Sequence, residues 1–251
     1  MNESKLLMRK GMTGATGNWY CGLDEVDDMG FVLHTLRPGE LFVDVGANIG
    51  SYSILAASGV GTRVIAIEPI PSTFSILKQN IRLNGLEGQV VARHLGLSNN
   101  ASELRFTTTQ DTTNHVLGDS EKAQGETIDV TTLDNLLEGE AIPAVIKIDV
   151  EGYEFAVLKG AKRTLSSPGL LAVIMETNSS GIRYGISDQQ LMDIMEEHGF
   201  EMWNYRAIER ELKPLRHVDN KADNTIFLRN HKEIEQRVKS APNTKLINGW
   251  I

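Results

Sequence analysis

The sequence predicts an α/β fold, a doubly wound, mostly parallel sheet with helices on both faces. Three observations lead there. Short apolar runs recur along the chain, segments of helical period stand between them, and a glycine turn follows the first run directly. Continuous Val/Ile/Leu runs suit strands covered on both faces, whereas sheets wet on one side alternate apolar with polar. Strands alternating with helices then build right-handed βαβ units.

Taken in order, the runs Leu41–Val45, Arg63–Ile67, Val90–Leu95, Ala144–Ile148 and Leu170–Met175 read as buried strands. Ser51–Ser58 is a helix after the first. Ser72–Asn84 places Phe74, Leu77 and Ile81 on one helical face, with Gly85 at the stop. Glu154–Leu165 repeats that pattern, and Ser187–His198 opens on a Ser-x-x-Gln capping-box spacing and stops at Gly199. Strands near Glu201–Tyr205 and Thr225–Leu228 complete the sheet. Thr107–Glu126 and Asn204–Asn224 lack a period and read as loops or lids. One domain, residues 39–230, fits better than two; residues 1–38 form a helical lead-in and 231–251 a peripheral tail.

Composition narrows function. The chain has 251 residues, 41% hydrophobic and 23% charged, which excludes a disordered or fibrous protein. A single cysteine, Cys21, excludes a disulfide framework and a cysteine-rich zinc site. With 25 basic against 33 acidic residues the net charge is −8, which disfavours a nucleic-acid partner. No apolar run approaches the roughly 18 residues of a membrane span, and no signal-peptide core stands at the N-terminus. The expected setting is cytoplasmic.

Chemistry concentrates after the first strand, in Asp44-Val45-Gly46-Ala47-Asn48-Ile49-Gly50-Ser51. Gly46 and Gly50 permit a tight turn with room for a ligand against the backbone, although a plain βα turn needs no more than that. Asp44 sharpens the reading. A carboxylate beside the loop repels a pyrophosphate and pairs with an ammonium group, so S-adenosylmethionine suits the site better than a dinucleotide. The spacing also departs from G-x-G-x-x-G, since Asn48 and Ser51 replace two glycines. Glu68 ends the next strand just before Pro69, where an acid accepts the hydroxyls of an adenosine ribose; the bland alternative is an exposed strand-end glutamate.

These residues resemble the FkbM family of S-adenosylmethionine-dependent methyltransferases. The likeness runs through Asp44–Gly50, Glu68-Pro-x-Pro71-x-x-Phe74-x-x-Leu77-x-x-Asn80-x-x-x-Asn84 and Thr132-Leu-Asp134. It is strongest at Ile146-Lys-Ile-Asp-Val-Glu-Gly-Tyr-Glu154, and covers roughly residues 40–230. The resemblance implies a methyl transfer to a hydroxyl of a sugar, glycan or natural product, with S-adenosylhomocysteine as product. It implies a cofactor site made by Asp44, Gly46, Ala47, Asn48, Gly50, Ser53, Glu68, Pro69, Leu97, Ser98 and Asp149. An acidic residue near Asp24 and Glu25 is expected to close over that site.

Around the transfer centre, ligands of open α/β sheets sit at the carboxyl ends of the strands. That edge gathers Asp44, Glu68, Asp149, Glu151 and Glu176. Asp149, Glu176 and His115 are the candidate proton acceptors, although a solvated-loop reading is favoured over catalysis for both His115 and His217. His34, His94, His198 and His231 read as bland. Glu154 reads as a helix-start carboxylate favoured by the macrodipole and Glu151 as either that or a site acid, while Lys147 is a buried lysine needing a partner whose place in the family-like string leaves a site role open. Asp149, Glu176 and Asn178 offer oxygens to a divalent cation, but the family has no metal motif and no metal is assigned. Trp19, Tyr20 and Trp203 are stacking candidates for a sugar, against the commoner fate of core packing. The competing functions are a nucleotide-dependent oxidoreductase and a catalytically silent cofactor-binding module.

Overall fold

The computed structural model describes residues 4–7, 22–110, 113–118, 121, 124–218, 223–246 and 249–251. Helix α1 (Val26–Thr35) leads into β1 (Leu41–Val45), α2 (Ser51–Val60), β2 (Arg63–Ile67), α3 (Pro71–Leu83) and β3 (Val90–Arg93). Then come β4 (Gly96–Leu97), β5 (Ser102–Thr107), β6 (Gly125–Thr131), α4 (Leu133–Leu136), β7 (Pro143–Ile148), α5 (Glu154–Lys159) and α6 (Lys162–Ser166). The chain continues through β8 (Ala172–Glu176), a 3-10 turn (Ser180–Tyr184), α7 (Asp188–Glu197), β9 (Glu201–Arg206), β10 (Glu211–Pro214) and β11 (Asn224–Leu228). It finishes with α8 (His231–Ser240), β12 (Lys245–Leu246) and β13 (Gly249–Trp250).

Eight strands form one sheet in the order β10-β9-β11-β8-β7-β1-β2-β3. Strands β3, β2, β1, β7 and β8 run parallel, while β11 lies antiparallel between β8 and β9. Strand order reverses between β1 and β7, and this switch point opens a crevice at their carboxyl ends.

Every residue of β1, β7 and β8 is buried, as continuous apolar runs require of a sheet covered on both faces. One face packs Phe42, Val64, Val145 and Ile174 against Phe31, Leu55 and Leu77; Ile234 and Val238 of α8 join that core. The other packs Val43, Ile65, Ile146 and Val173 against Leu158, Leu165 and Met195. Each such side chain contributes about 1.5–3 kcal/mol on burial. Pro71 starts α3 at a position whose N–H needs no partner, and Ser187 with Gln190 makes the expected capping box.

The elements depart from the sequence reading in four places. The Val90–Leu95 run is cut at Arg93, and the chain leaves to join a three-stranded sheet, β4-β6-β5. Phe106, Val116, Ile128 and Val130 with Ile70 give that sheet its own small core. The helix Glu154–Leu165 breaks between α5 and α6. Gly160 there lies so close to the Ser98 carbonyl that a Cβ would stand 2.2 Å from its oxygen. Thr107 and Gly125–Glu126, read as loop, belong to β5 and β6. Asn204–Asn224 is partly a hairpin, β9 pairing with β10 from Trp203–Pro214 to Arg206–Glu211.

At the amino end of the sheet, Arg37 donates to the carbonyls of His34 and Leu36, both at 2.9 Å, and of Arg237 at 2.7 Å. Arg237 in turn clasps both oxygens of Glu40 at 2.8 and 2.9 Å. The two guanidiniums satisfy carbonyls that the end of α1 leaves open.

Candidate active site

The loop after β1 is set by backbone. The N–H groups of Gly46 and Ala47 both donate to the Ile67 carbonyl, at 3.0 and 2.9 Å, tying the loop to β2. Gly46 has φ +79°, and a Cβ there would come within 1.8 Å of the Asp149 carbonyl oxygen. The residue is therefore glycine because the loops after β1 and β7 touch. Asn48 sits in the left-handed region at φ +51°, a conformation asparagine tolerates. Fully buried Asn80 donates to the Ile49 carbonyl at 2.9 Å and holds the loop from α3. Asn80 stands in the family-like string without a role assigned from sequence; only the fold brings it to the loop.

A cavity of about 230 Å³ opens above this loop. Its floor is Gly46–Ile49, one wall is Glu68–Ile70, and Leu97 and Phe106 of the small sheet face it with Val116, which bridges to Phe106. Asp24 and Glu25 line it from before α1. Glu68 is buried, and its two oxygens accept the N–H groups of Asn48 at 2.9 Å and Ile70 at 2.8 Å. Burial pushes its carboxyl up to about 7, against those two hydrogen bonds. Asp44 is buried too and accepts the Ser53 hydroxyl at 2.6 Å. Burial raises its carboxyl above the ordinary range, opposed by the nearby Lys147 ammonium.

Lys147 is Asp44's register partner on β7, and its Nζ donates to Asp149 Oδ2 at 2.6 Å. The ammonium also stands 4.8 Å from the Tyr52 ring centroid. Burial works against its charge, but Asp149, Glu25 and Asp44 together outweigh burial and hold it above its usual range. Tyr52 donates to Glu25 Oε2 at 2.5 Å, and the Asn224 amide bridges Glu25 and Asp28 at 3.0 Å each. Asp28 is pushed up to about 7 by burial and the neighbouring Glu25 charge.

Beyond Asp149 the chain turns through Glu151 at φ +55° and Gly152 at φ +98°. Glu154 Oε1 accepts the N–H groups of Val150 and Gly152, at 3.0 and 3.2 Å, so Glu154 caps this turn. Asp149, Glu151 and Glu176 bring carboxylate oxygens within 4.8 Å of one another. Burial, followed by Asp149 and Glu151, drives Glu176 well above the ordinary carboxyl range.

Of the residues expected from sequence, Asp44, Gly46, Ala47, Asn48, Glu68, Pro69, Leu97 and Asp149 line the cavity. Gly50, Ser53, Ser98, Glu176 and His115 stand off it. Gly50, at φ +96°, packs on Leu77; Ser53 braces Asp44; and Ser98 bonds Thr131 through its N–H and leaves its carbonyl against Gly160. Glu176 accepts from Asn178 at 2.8 Å and Ser180 at 3.4 Å, so the Asn178 amide donates to a carboxylate.

His115 is a correction. Its ring is buried, with one nitrogen 3.0 Å from the Thr113 carbonyl and the other 3.2 Å from Glu121, and it does not line the cavity although Asn114 and Val116 do. A polar loop composition gave no sign of that burial. Trp203 takes the commoner of its two expected fates, core packing. It stacks on His231 at 5.2 Å against the core, away from the cavity, while Trp19 and Tyr20 lie outside the described residues. His217 is exposed.

Comparison with known proteins bears on the family and the fold. Residues 44–202 match the methyltransferase FkbM domain. Hexuronic acid methyltransferase AglP of Haloferax volcanii is 30% identical over 151 residues, 59% of this chain and 61% of that relative's length. Methyltransferase sdnD of Sordaria araneosa is 25% identical over 206 residues, 68% of this chain and 78% of its own. The crystal structure of precorrin-6Y C5,15-methyltransferase from Geobacter metallireducens shares the fold. It superposes with a TM-score of 0.50 at 12% identity, covering 90% of this chain and 94% of that one. The domain match spans more than half of the sequence and includes the glycine loop, Glu68 and the β7 turn. The chain therefore belongs to the FkbM methyltransferase family.

Proposed function

We propose that this methyltransferase uses S-adenosylmethionine and transfers the methyl group to an oxygen of a sugar, glycan or natural product. The observation that carries the reading is the cavity at the β1–β7 switch point, with Asp44 at its base, Glu68 on one side and Asp149 on the other. The residues suit that cofactor. Each Glu68 oxygen accepts one backbone N–H, which leaves a lone pair on each for a ribose diol. Asp44 offers a buried carboxylate to an α-ammonium. Leu97, Phe106 and Ile70 give apolar surface for a flat base. When bound, the cofactor supplies an electrophilic methyl whose bond to sulfur breaks with its electron pair left on sulfur.

The chain's own residues then align and dry the site. Asp149, fixed by Lys147, orients the acceptor hydroxyl, and the Glu25–Tyr52–Asn224 bonds hold the segment before α1 over the cavity. The Haloferax relative is named for a hexuronic acid, which supports a sugar acceptor here. No helix among the described residues is long and apolar enough to cross a membrane. The test is a methyl-transfer screen with labelled cofactor against methyl hexopyranosides, methyl hexuronides and small natural-product alcohols, read by product mass and fragmentation. A product methylated on oxygen supports the reading; methylation on carbon or nitrogen, or no cofactor binding by calorimetry, sinks it.

A further inference from the structure

The turn after β7 carries a carboxylate that the fold leaves unspent. Glu154, not Glu151, caps the turn, while Glu151 is met at its main-chain carbonyl by Arg183 Nη1, at 3.3 Å. Among the described residues its carboxylate accepts no hydrogen bond, while Glu68, Asp44, Glu25 and Asp149 are each engaged. Glu151 is half-buried, lines the cavity and brings an oxygen within 4.8 Å of the Asp149 carboxylate. It also occupies the left-handed backbone region, where a glutamate gains nothing that a glycine would not supply better. Its carboxylate therefore stands beside the proposed reacting centre without a hydrogen-bond partner among the described residues.

Asp149 is less suited to take a proton. Its Oδ2 is held at 2.6 Å by the Lys147 ammonium, and protonating it would leave that buried ammonium beside a neutral acid. We propose that Glu151 is the proton acceptor of the transfer, resting on the proposed oxygen acceptor: as the acceptor hydroxyl gains the methyl group, its proton passes to the Glu151 carboxylate and from there to water. Asp149 orients the hydroxyl and stays ionised.

The surroundings match the task. Burial, then the charges of Asp149 and Glu154, push the Glu151 carboxyl up to about 7, partly offset by Arg183 and Lys147. Glu176, at the end of β8, faces the same cluster. A base poised near neutrality combines the right protonation state with a useful driving force.

Two readouts test this. In the ligand-free protein, infrared difference titration of wild type against Glu151→Gln reads the carboxyl directly. A band lost in the variant that titrates near neutral pH supports the assignment; one in the ordinary carboxyl range overturns it. In the second arm, Glu151→Gln and Glu151→Gly are assayed with labelled S-adenosylmethionine and the pooled methyl hexopyranosides and hexuronides. Both variants are expected to lose about 10²–10⁴-fold in kcat, with the acid limb of the pH profile gone. Calorimetric affinity for S-adenosylhomocysteine stays within about twofold, and Glu151→Gly melts no lower than wild type, because it relieves a positive φ. Normal turnover by either variant, or EDTA-sensitive turnover restored by magnesium, overturns the proposal. If wild type methylates none of the pool, the sugar reading fails while the titration still judges Glu151.

Discussion

The two ends of the central sheet treat charge in opposite ways. At the amino end, Arg37, Arg237 and Glu40 meet in a closed set of bonds, every guanidinium aimed at a carbonyl or carboxylate. At the carboxyl end, Asp149, Glu25 and Asp44 surround the buried Lys147 ammonium, with Asp28, Glu68, Glu151, Glu154 and Glu176 nearby. The first arrangement stabilises and has nothing left over. The second gathers more carboxyl groups than nearby cations pair among the described residues, and burial pushes several of them toward the protonated form, which suits a partner that brings positive charge or a proton. The proposed cofactor, with its sulfonium and ammonium, would bring the first, and the proposed acceptor hydroxyl the second. Imbalance marks the working end.

The sharpest way to break that contrast is Lys147→Met. Removing one partner of a buried pair costs about 3–5 kcal/mol, because Asp44 and Asp149 are left uncompensated. Urea unfolding should show that loss, and adding Asp44→Asn should recover part of it. A single variant as stable as wild type would mean that the carboxylates are already neutral. At the other end, Arg237→Ala removes a fully bonded guanidinium that is 19% exposed. It should cost roughly 1–3 kcal/mol while cofactor affinity stays unchanged. A change in affinity would show that the ends are coupled.

The third test is the pH dependence of stability. Asp28, Glu68, Glu151 and Glu154 are each raised to about 7, so the folded state binds protons that the unfolded chain has released. Their contribution is fully present below the ordinary carboxyl range and is lost as pH rises through 7. His34 acts in the opposite sense. Burial lowers it to about 4, so its contribution is present above 6.5 and lost as pH falls toward 4. Four groups outweigh one, and the melting temperature should rise as pH is lowered from 8 to 5.5. A flat or reversed profile would mean that the carboxyl end is more hydrated than its geometry implies.

The parallel strands were legible because burial on both faces writes itself as unbroken apolar runs. Asp44 and Glu68 were legible because each ends such a run beside a glycine loop or a proline. The small sheet was less so. Thr127-Ile128-Asp129-Val130 does alternate, and that signal was available, but β4 is two residues long and β5 is mostly exposed. The break at Gly160 depends on Ser98, which is 62 positions away in sequence. Glu151 was hardest. Whether it caps or stands free depends on Glu154 claiming the two N–H groups first, and both glutamates satisfy the same first-turn pattern.

Strand β11 enters the sheet antiparallel, which puts Asn224 at the carboxyl edge and lets it reach Glu25 across 199 positions of sequence. At about 5–20 residues per second, a ribosome needs roughly 10–40 s to travel that distance. The glycine loop and Glu68 therefore emerge long before the roof above them can be fastened. During synthesis the half-built pocket stands open, and the segment before α1 waits for a strand that has not yet been translated.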